Sequence, residues 1–327
     1  MTGTGTPTQR AASGPLAGVG ALWRKRWAQA REKDLVRSFL DSRLATGAAL
    51  ALLMVAGGAL LAPVLAPQNP YDLASLSLAN ASLPPAWTGA GDARFLLGTD
   101  DQGRDILSAV LYGTRSSLLI GLCSVLLASA IGVTLGLWAG YAGGRVGSLI
   151  MRIADVQLTF PAILTALLID GAALAIFKSY QMEGNRFAVL IIAIGLAGWV
   201  QYARTVRSAT LVERNKDYVA AAQLIGLGPL RIMFHHILPN TLAPVLVLAT
   251  INLALAIVTE ATLSFLGVGL PPSQPSLGTM IQVGNKYLFS GAWWMVAFPG
   301  LTLALLALAV NLLGDWLRDA LNPKLKP

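Results

Sequence analysis

Cysteine is all but absent: Cys123 stands alone in 327 residues. That excludes a disulfide within the chain and any cysteine metal cluster, and its place inside an apolar run makes it a small packing residue. Histidine is nearly as scarce. The two present, His235 and His236, are neighbours, and adjacent side chains on a helix point about 100° apart, so they do not form a joint metal site. Charge is sparse as well, at 12% of residues against 55% hydrophobic, with a mean hydropathy of +0.62. An ordinary soluble domain is thereby excluded, and a polytopic membrane protein remains. Acidic residues number 16 against 24 Lys and Arg. The basic surplus does not mark a nucleic-acid surface, because it sits beside apolar spans rather than interleaved with aromatics. Also missing is any GxxxxGK[ST] run, so nothing here cradles nucleotide phosphates. Gly267-Val268-Gly269 has no strand before it to make a dinucleotide turn. With no nucleophile beside a base, the chain reads as a non-enzyme needing no cofactor and no metal of its own.

What is present is a succession of apolar runs, the first of them long enough for roughly 30 Å of hydrocarbon at 1.5 Å per residue. Six spans are predicted, at about 44–65, 116–141, 150–177, 187–202, 241–266 and 292–313, giving an all-α integral membrane fold in the lipid bilayer. Before them lies a segment of residues 1–43. Its first 20 residues, rich in Gly, Thr, Ser and Pro, are expected to be disordered and lack the apolar core of a cleavable signal peptide. The basic stretch from Trp23 to Arg43 reads as a helix at the membrane face. Pro63 and Pro67 end the first span. In the polar loop 66–113, Thr99 and Gln102 have capping-box spacing ahead of the stripe Ile106, Leu107, Val110 and Leu111, which predicts a short interfacial helix. Residues 114–315 hold five further spans, and 316–327 form a tail. Gly132, Gly136 and Gly140 recur every fourth residue of the second span, a spacing that lets helices approach closely in lipid. Pro161 is expected to kink the third. With the N-terminus inside, 18 of the 24 Lys and Arg fall on the inner side and six on the outer. That is the positive-inside bias, and it sets both termini in the cytoplasm.

The most informative stretch lies between the fourth and fifth spans, at 215–240. Tyr218, Ala221, Ala222 and Ile225 have the spacing of one helical face, with Asn215 as N-cap. Gly226 ends that helix, because only a residue without a Cβ enters the left-handed cap conformation cheaply. Pro229 then suits the start of a second helix with the stripe Leu230, Met233, Phe234 and Ile237, which Pro239 is expected to terminate. Pattern alone allows this helix–corner–helix to be a membrane-surface element and no more.

Ala221, Ala222, Gly226, Leu238 and Pro239 resemble, at the right spacing, the "EAA" loop of permease subunits of ATP-binding-cassette importers. Ala220 stands where that motif has its glutamate. Residues Gly98 to Gly121, with Thr99, Asp100, Gly103, Arg104, Asp105, Leu107, Ser108, Tyr112, Gly113, Arg115, Ser117 and Leu118, are similar to the opening phrase of the permease core in the dipeptide, oligopeptide and nickel family, C-type subunit. The phrase from Glu260 to Gly278 is similar to a second signature of that family, with Leu277 in place of its usual tryptophan, and Pro299 to Leu325 fits it closely. The resemblance implies a type I importer permease of MetI-like fold in the bacterial cytoplasmic (inner) membrane. It implies, as partners, a second homologous permease, two ATP-binding subunits that hold Mg-ATP, and an external solute-binding protein. It also implies that 215–240, including Asp217 and Tyr218, is the loop that couples to the ATPases.

Three acids stand at membrane depth: Asp155, Asp170 and Glu260. A central charge costs about 2.5–3.5 kcal/mol on insertion scales, so each is a candidate functional group. Asp155 and Asp170 are near opposite ends of the third span, within reach of water or Arg152. Glu260 is the stronger candidate for facing an internal passage, with Asp155 second. Two alternatives remain open at this level, a permease for nickel or another non-peptide solute and an ion-coupled secondary transporter. A membrane scaffold is a third.

Overall fold

The structure, a computed structural model, describes residues 37–72, 76–179 and 185–321, with backbone alone for 177–179. The expectations for 1–20 and for the basic stretch up to residue 36 lie outside the described residues. Contacts divide the chain into two units, Met1–Thr46 and Gly47–Pro327. Of the first, residues 37–41 are helical, and the Ser42 hydroxyl accepts the Ala45 N–H at 3.2 Å as α1 begins.

Helix α1, Arg43–Leu60, continues after a one-residue break into the short α2, Ala62–Leu65, with Pro63 in its first turn. The loop beyond is drawn into a tight fold by side chains. Thr99 Oγ1 donates to the Asn80 carbonyl at 2.6 Å and accepts the Leu83 N–H at 2.8 Å. Thr99 is therefore a loop clasp and caps no helix, and the separate interfacial helix expected here does not exist. The cap is Asp105, whose carboxylate accepts from the Ser108 N–H and hydroxyl at 2.8 and 2.6 Å. From it runs one uninterrupted helix, α3, Ile106–Ala142, of 37 residues. At 1.5 Å per residue it is about 55 Å long, well beyond the hydrocarbon thickness.

The third apolar run is a broken element and not a kinked span. Its parts are α4, Gly144–Leu158, and α5, Ala162–Ser179, bent by 95° at the Pro161 break. Proline removes an N–H and clashes with the preceding turn, and α4 is amphipathic, exposing Leu149, Ile153 and Val156. Helix α6, Arg186–Glu213, outruns the expected span by nearly three turns. Next come α7, Asp217–Leu224; α8, Pro229–Arg231; a π-helical turn, Ile232–Ile237; and α9, Leu238–Phe265. An unpredicted helix, α10, Leu277–Tyr287, occupies the segment after α9 that reads as loop in the sequence, opened by a capping box between Ser276 and Thr279. The last, α11, Trp294–Leu321, carries helix into residues read as tail. Among the described residues no strand occurs beyond a single bridge, Thr99 to Asp105. Among the described residues five helices are long and apolar enough to cross a membrane, six if the α4–α5 pair is one broken span.

The bundle is built around α3 against α6. A Cβ on Gly132 would fall 2.4 Å from the Trp199 carbonyl oxygen, and one on Gly136 2.6 Å from that of Ala203. The glycine ladder is a packing seam, as its spacing predicts. At one end of the seam Leu137, Tyr202 and Val206 share a core with Val219, Ile232 and Ile237 from the loop elements. At the other, Ile106, Leu277, Met295 and Leu306 bring α3, α10 and α11 together.

Candidate functional site

The loop 215–240 is a fixed elbow, and its geometry follows from a few side chains. Gly226 has φ +80°. Its N–H donates to the Gln223 carbonyl and the Leu227 N–H to that of Ala222, at 2.9 and 3.1 Å, the paired bonds of a Schellman cap. The N-cap of α7 is Lys216 and not Asn215, whose amide instead donates back to Leu211 on α6. Asp217 occupies the first turn, where the helix dipole favours an acid.

The faces differ from the expected stripes. Val219 and Ala222 point into the bundle, whereas Ala221 and Ile225 are exposed. On the second limb Ile232, Met233 and Ile237 are buried, and Leu230 and Phe234 face out. Apolar spacing locates a stripe but does not distinguish its two flanks when both are apolar. The outcome is a patch of Leu224, Ile225, Leu230 and Phe234, exposed by 90, 78, 60 and 42%.

Pro239 does not end the second limb. Lacking an N–H, it cannot bond the carbonyl four residues back. The π-helical turn ends just before it, and the helix continues into α9 with Leu238 half-buried against the core. Both limbs are tied to the bundle by polar contacts. Tyr218 donates to Glu213 at 2.7 Å, Asn240 Nδ2 donates to the Tyr218 hydroxyl at 3.2 Å, and Lys216 pairs with Glu213 at 2.6 Å. Burial and the neighbouring Glu213 carboxylate raise the Tyr218 phenol above its ordinary range, so it stays protonated as a donor. Arg214 Nη1 donates to the Gly140 carbonyl at 2.9 Å, fastening the elbow to the C-terminus of α3.

The acids fall into place separately. Glu260 is fully buried, accepting from Ser117 at 2.6 Å and Ser264 at 2.8 Å. The Leu277 N–H in turn reaches Ser117 Oγ at 3.4 Å. Two motif phrases far apart in the chain, Gly98 to Gly121 and Glu260 to Gly278, thus meet at one carboxyl group. The carboxyl lies within the helix packing. Asp170 is buried 3.6 Å from Arg186, which also donates to the carbonyls of Val268 and Gly269. Asp155 is largely exposed and pairs with Arg204, not Arg152. In the loop before α3, Arg104 is buried against Asp100 at 2.6 Å and donates to the Pro272 carbonyl at 2.7 Å. The serines around Glu260 and the capping Arg214 carried no periodic signal. The place of Ser117 and Ser264 within the motif phrases was the one cue to those serines.

A helical bundle with long apolar spans, a broken helix and a firmly anchored elbow bearing an exposed apolar patch defines a polytopic membrane protein. The profile described as "binding-protein-dependent transport system inner membrane component" matches residues 132–327. The chain belongs to that family, as a dipeptide/oligopeptide-type permease of ATP-binding-cassette importers, and it is a multi-pass inner-membrane protein. It is 44% identical over 294 residues to the di/tripeptide transport system permease protein DppC of Pseudomonas aeruginosa, covering 90% of this chain and 92% of that one. The dipeptide permease DppC of Haemophilus influenzae is 42% identical, covering 88 and 93%, and that of Escherichia coli K12 is 45% identical, covering 82 and 85%. Among solved structures, the MetNI methionine transporter in an inward-facing conformation matches at a TM-score of 0.50 and 19% identity, covering 65 and 96%. That likeness carries the MetI-like fold alone.

Proposed function

We propose that this chain is one of two homologous permeases forming the passage of a peptide importer, worked by two separate ATP-binding subunits and supplied by an external solute-binding protein. The elbow is its coupling device. ATP closure of the ATPases pushes the patch of Leu224, Ile225, Leu230 and Phe234. Because Val219, Ile232 and Ile237 are seated in the core, the push moves α3, α6 and α9 together. Each of those buried side chains contributes roughly 1.5–3 kcal/mol, enough to keep the elbow attached under load. The basic bias of the loops supports a cytoplasmic elbow and cytoplasmic termini. The cargo named for the relatives supports peptides.

The observation that carries this reading is a large apolar patch left in the open on an otherwise firmly anchored corner, since such patches mark interaction sites. Gly226→Val tests it. No atom lies within 4 Å of a Cβ built there, so the cost is the left-handed backbone, about 1–2 kcal/mol. The variant is expected to insert and assemble while hydrolysing ATP without matching uptake. Normal ATP-driven uptake in vesicles would reject the elbow as coupler.

A further inference from the structure

Midway along the bundle a cleft of about 540 Å³ opens between α3, α6 and α9, with the first residue of α5 on its wall. Ser124 is the middle residue of α3, Asn252 lies at the middle of α9, and Gln201 and Tyr202 are within a turn of the middle of α6. Three helices thus bring polar side chains to one depth. Ser124 and Tyr202 are 1 and 0% exposed, and Ser124 Oγ, Tyr202 Oη and Asn252 Nδ2 are buried without a hydrogen bond in the chain. Asn252 stands near the Tyr202 hydroxyl but not in normal bonding geometry. Gln201 adds an exposed carboxamide to the same wall.

Buried polar atoms left unpaired require an explanation. Lipid supplies none, since hydrocarbon has no hydrogen-bonding partner and an unmatched amide or hydroxyl is strongly disfavoured there. The cleft therefore faces water, a polar ligand or another protein chain. Its lining includes no acidic or basic side chain. Hydroxyls and carboxamides both donate and accept, so they pair with peptide N–H or C=O whatever side chains the peptide bears. The 95° break at Pro161 also brings the start of α5 to this wall. In broken membrane helices that positive end suits an anionic substrate group.

We propose that this cleft is a main-chain subsite of the passage. It takes the amides of a small peptide against Ser124, Gln201, Tyr202 and Asn252, with the peptide carboxylate toward the N-terminus of α5. The subsite rests on the peptide-permease reading and adds where, and by what chemistry, the peptide is held in transit.

The test uses the assembled transporter in proteoliposomes, with dialanine as cargo and Cys123→Ser as background. Gln201→Cys and Thr259→Cys are treated with a membrane-impermeant methanethiosulfonate during ATP-driven turnover. Both are expected to react, severalfold more slowly with saturating dialanine. Leu119→Cys, about 140° round α3 from Ser124, should be indifferent to the peptide. Asn252→Leu is expected to lower dialanine moved per ATP hydrolysed severalfold, with Asn252→Ser recovering part of it. Peptide-indifferent labelling at both positions together with an unchanged Asn252→Leu ratio would overturn the subsite and assign the cleft to a neighbouring chain. Uptake of no dialanine by the wild-type transporter would overturn the peptide reading and the subsite with it.

Discussion

Glu260 holds three segments with one side chain. Its oxygens accept from Ser117 on α3 and Ser264 on its own helix, and the Ser117 hydroxyl receives the N–H that opens α10. A serine hydroxyl rotates to donate or accept, so Glu260→Gln is expected to keep most of the cage. Glu260→Ala strands the hydroxyls, at about 1–3 kcal/mol for each left unpaired. Thermal unfolding in detergent should separate the two variants clearly. A Gln variant as stable as wild type yet unable to transport would show that the charge has a duty in the passage. Asp105 offers a pH test. Burial pushes its carboxyl above the usual range, against the opposing hydrogen bonds from Ser108. Ionising it in the folded state is therefore a cost, felt fully above the folded pKa and relieved as pH falls toward the unfolded value near 3.9. Asp105→Asn keeps a cap acceptor, so the wild type should gain stability relative to it on acidification. Asp105→Ala should lose about 1 kcal/mol of capping at any pH.

At the scale of elements, the α3–α6 seam is where a small change should do most harm. A Cβ at Gly136 meets the Ala203 carbonyl at 2.6 Å and the Val206 Cβ at 2.8 Å, both on a helix that cannot retreat without disturbing the core beneath the elbow. Gly136→Val is expected to cost about 1–3 kcal/mol by overpacking and to lower the thermal midpoint more than the same change at Gly144, where no atom lies within 4 Å but φ is +50°. The seam was legible in advance, because a four-residue glycine period has one common meaning in lipid. The elbow was legible through Gly226 and Pro229, whose backbone restrictions are local. Helix α10 was not, for its start is marked by Ser276 and Thr279 inside a proline-rich run that reads as loop. Asn215 and Thr99 misled because other partners claimed their capping side chains first: Asn215 donates back to Leu211 in the last turn of α6, and Thr99 bonds to Asn80 and Leu83 across the loop. The partners of Glu260 are up to 143 residues away, and periodicity does not report contacts at that range.

For the whole molecule, the chain is on the proposed function one part of an energy converter, with the exposed tip of the elbow as the place where the remainder would attach. Leu224 and Ile225 stand out at 90 and 78% exposure at the tip of the elbow, while Val219 and Ala222, on the opposite side of the same helix, are sealed in the core. The elbow's attachment and its docking face are thus separable by mutation. Leu224→Glu places a charge where water already reaches, so insertion and thermal stability should change by no more than about 0.5 kcal/mol, as for other surface substitutions. Docking would have to bury that charge unpaired, which is severely unfavourable. Affinity purification of the variant from a cell expressing the full transporter should recover the second permease but little of the ATP-binding subunits. Val219→Glu should instead reduce the amount of folded permease itself. If Leu224→Glu retained its ATPases and transported normally, the patch would belong to the membrane surface, and another part of the chain would have to receive the force.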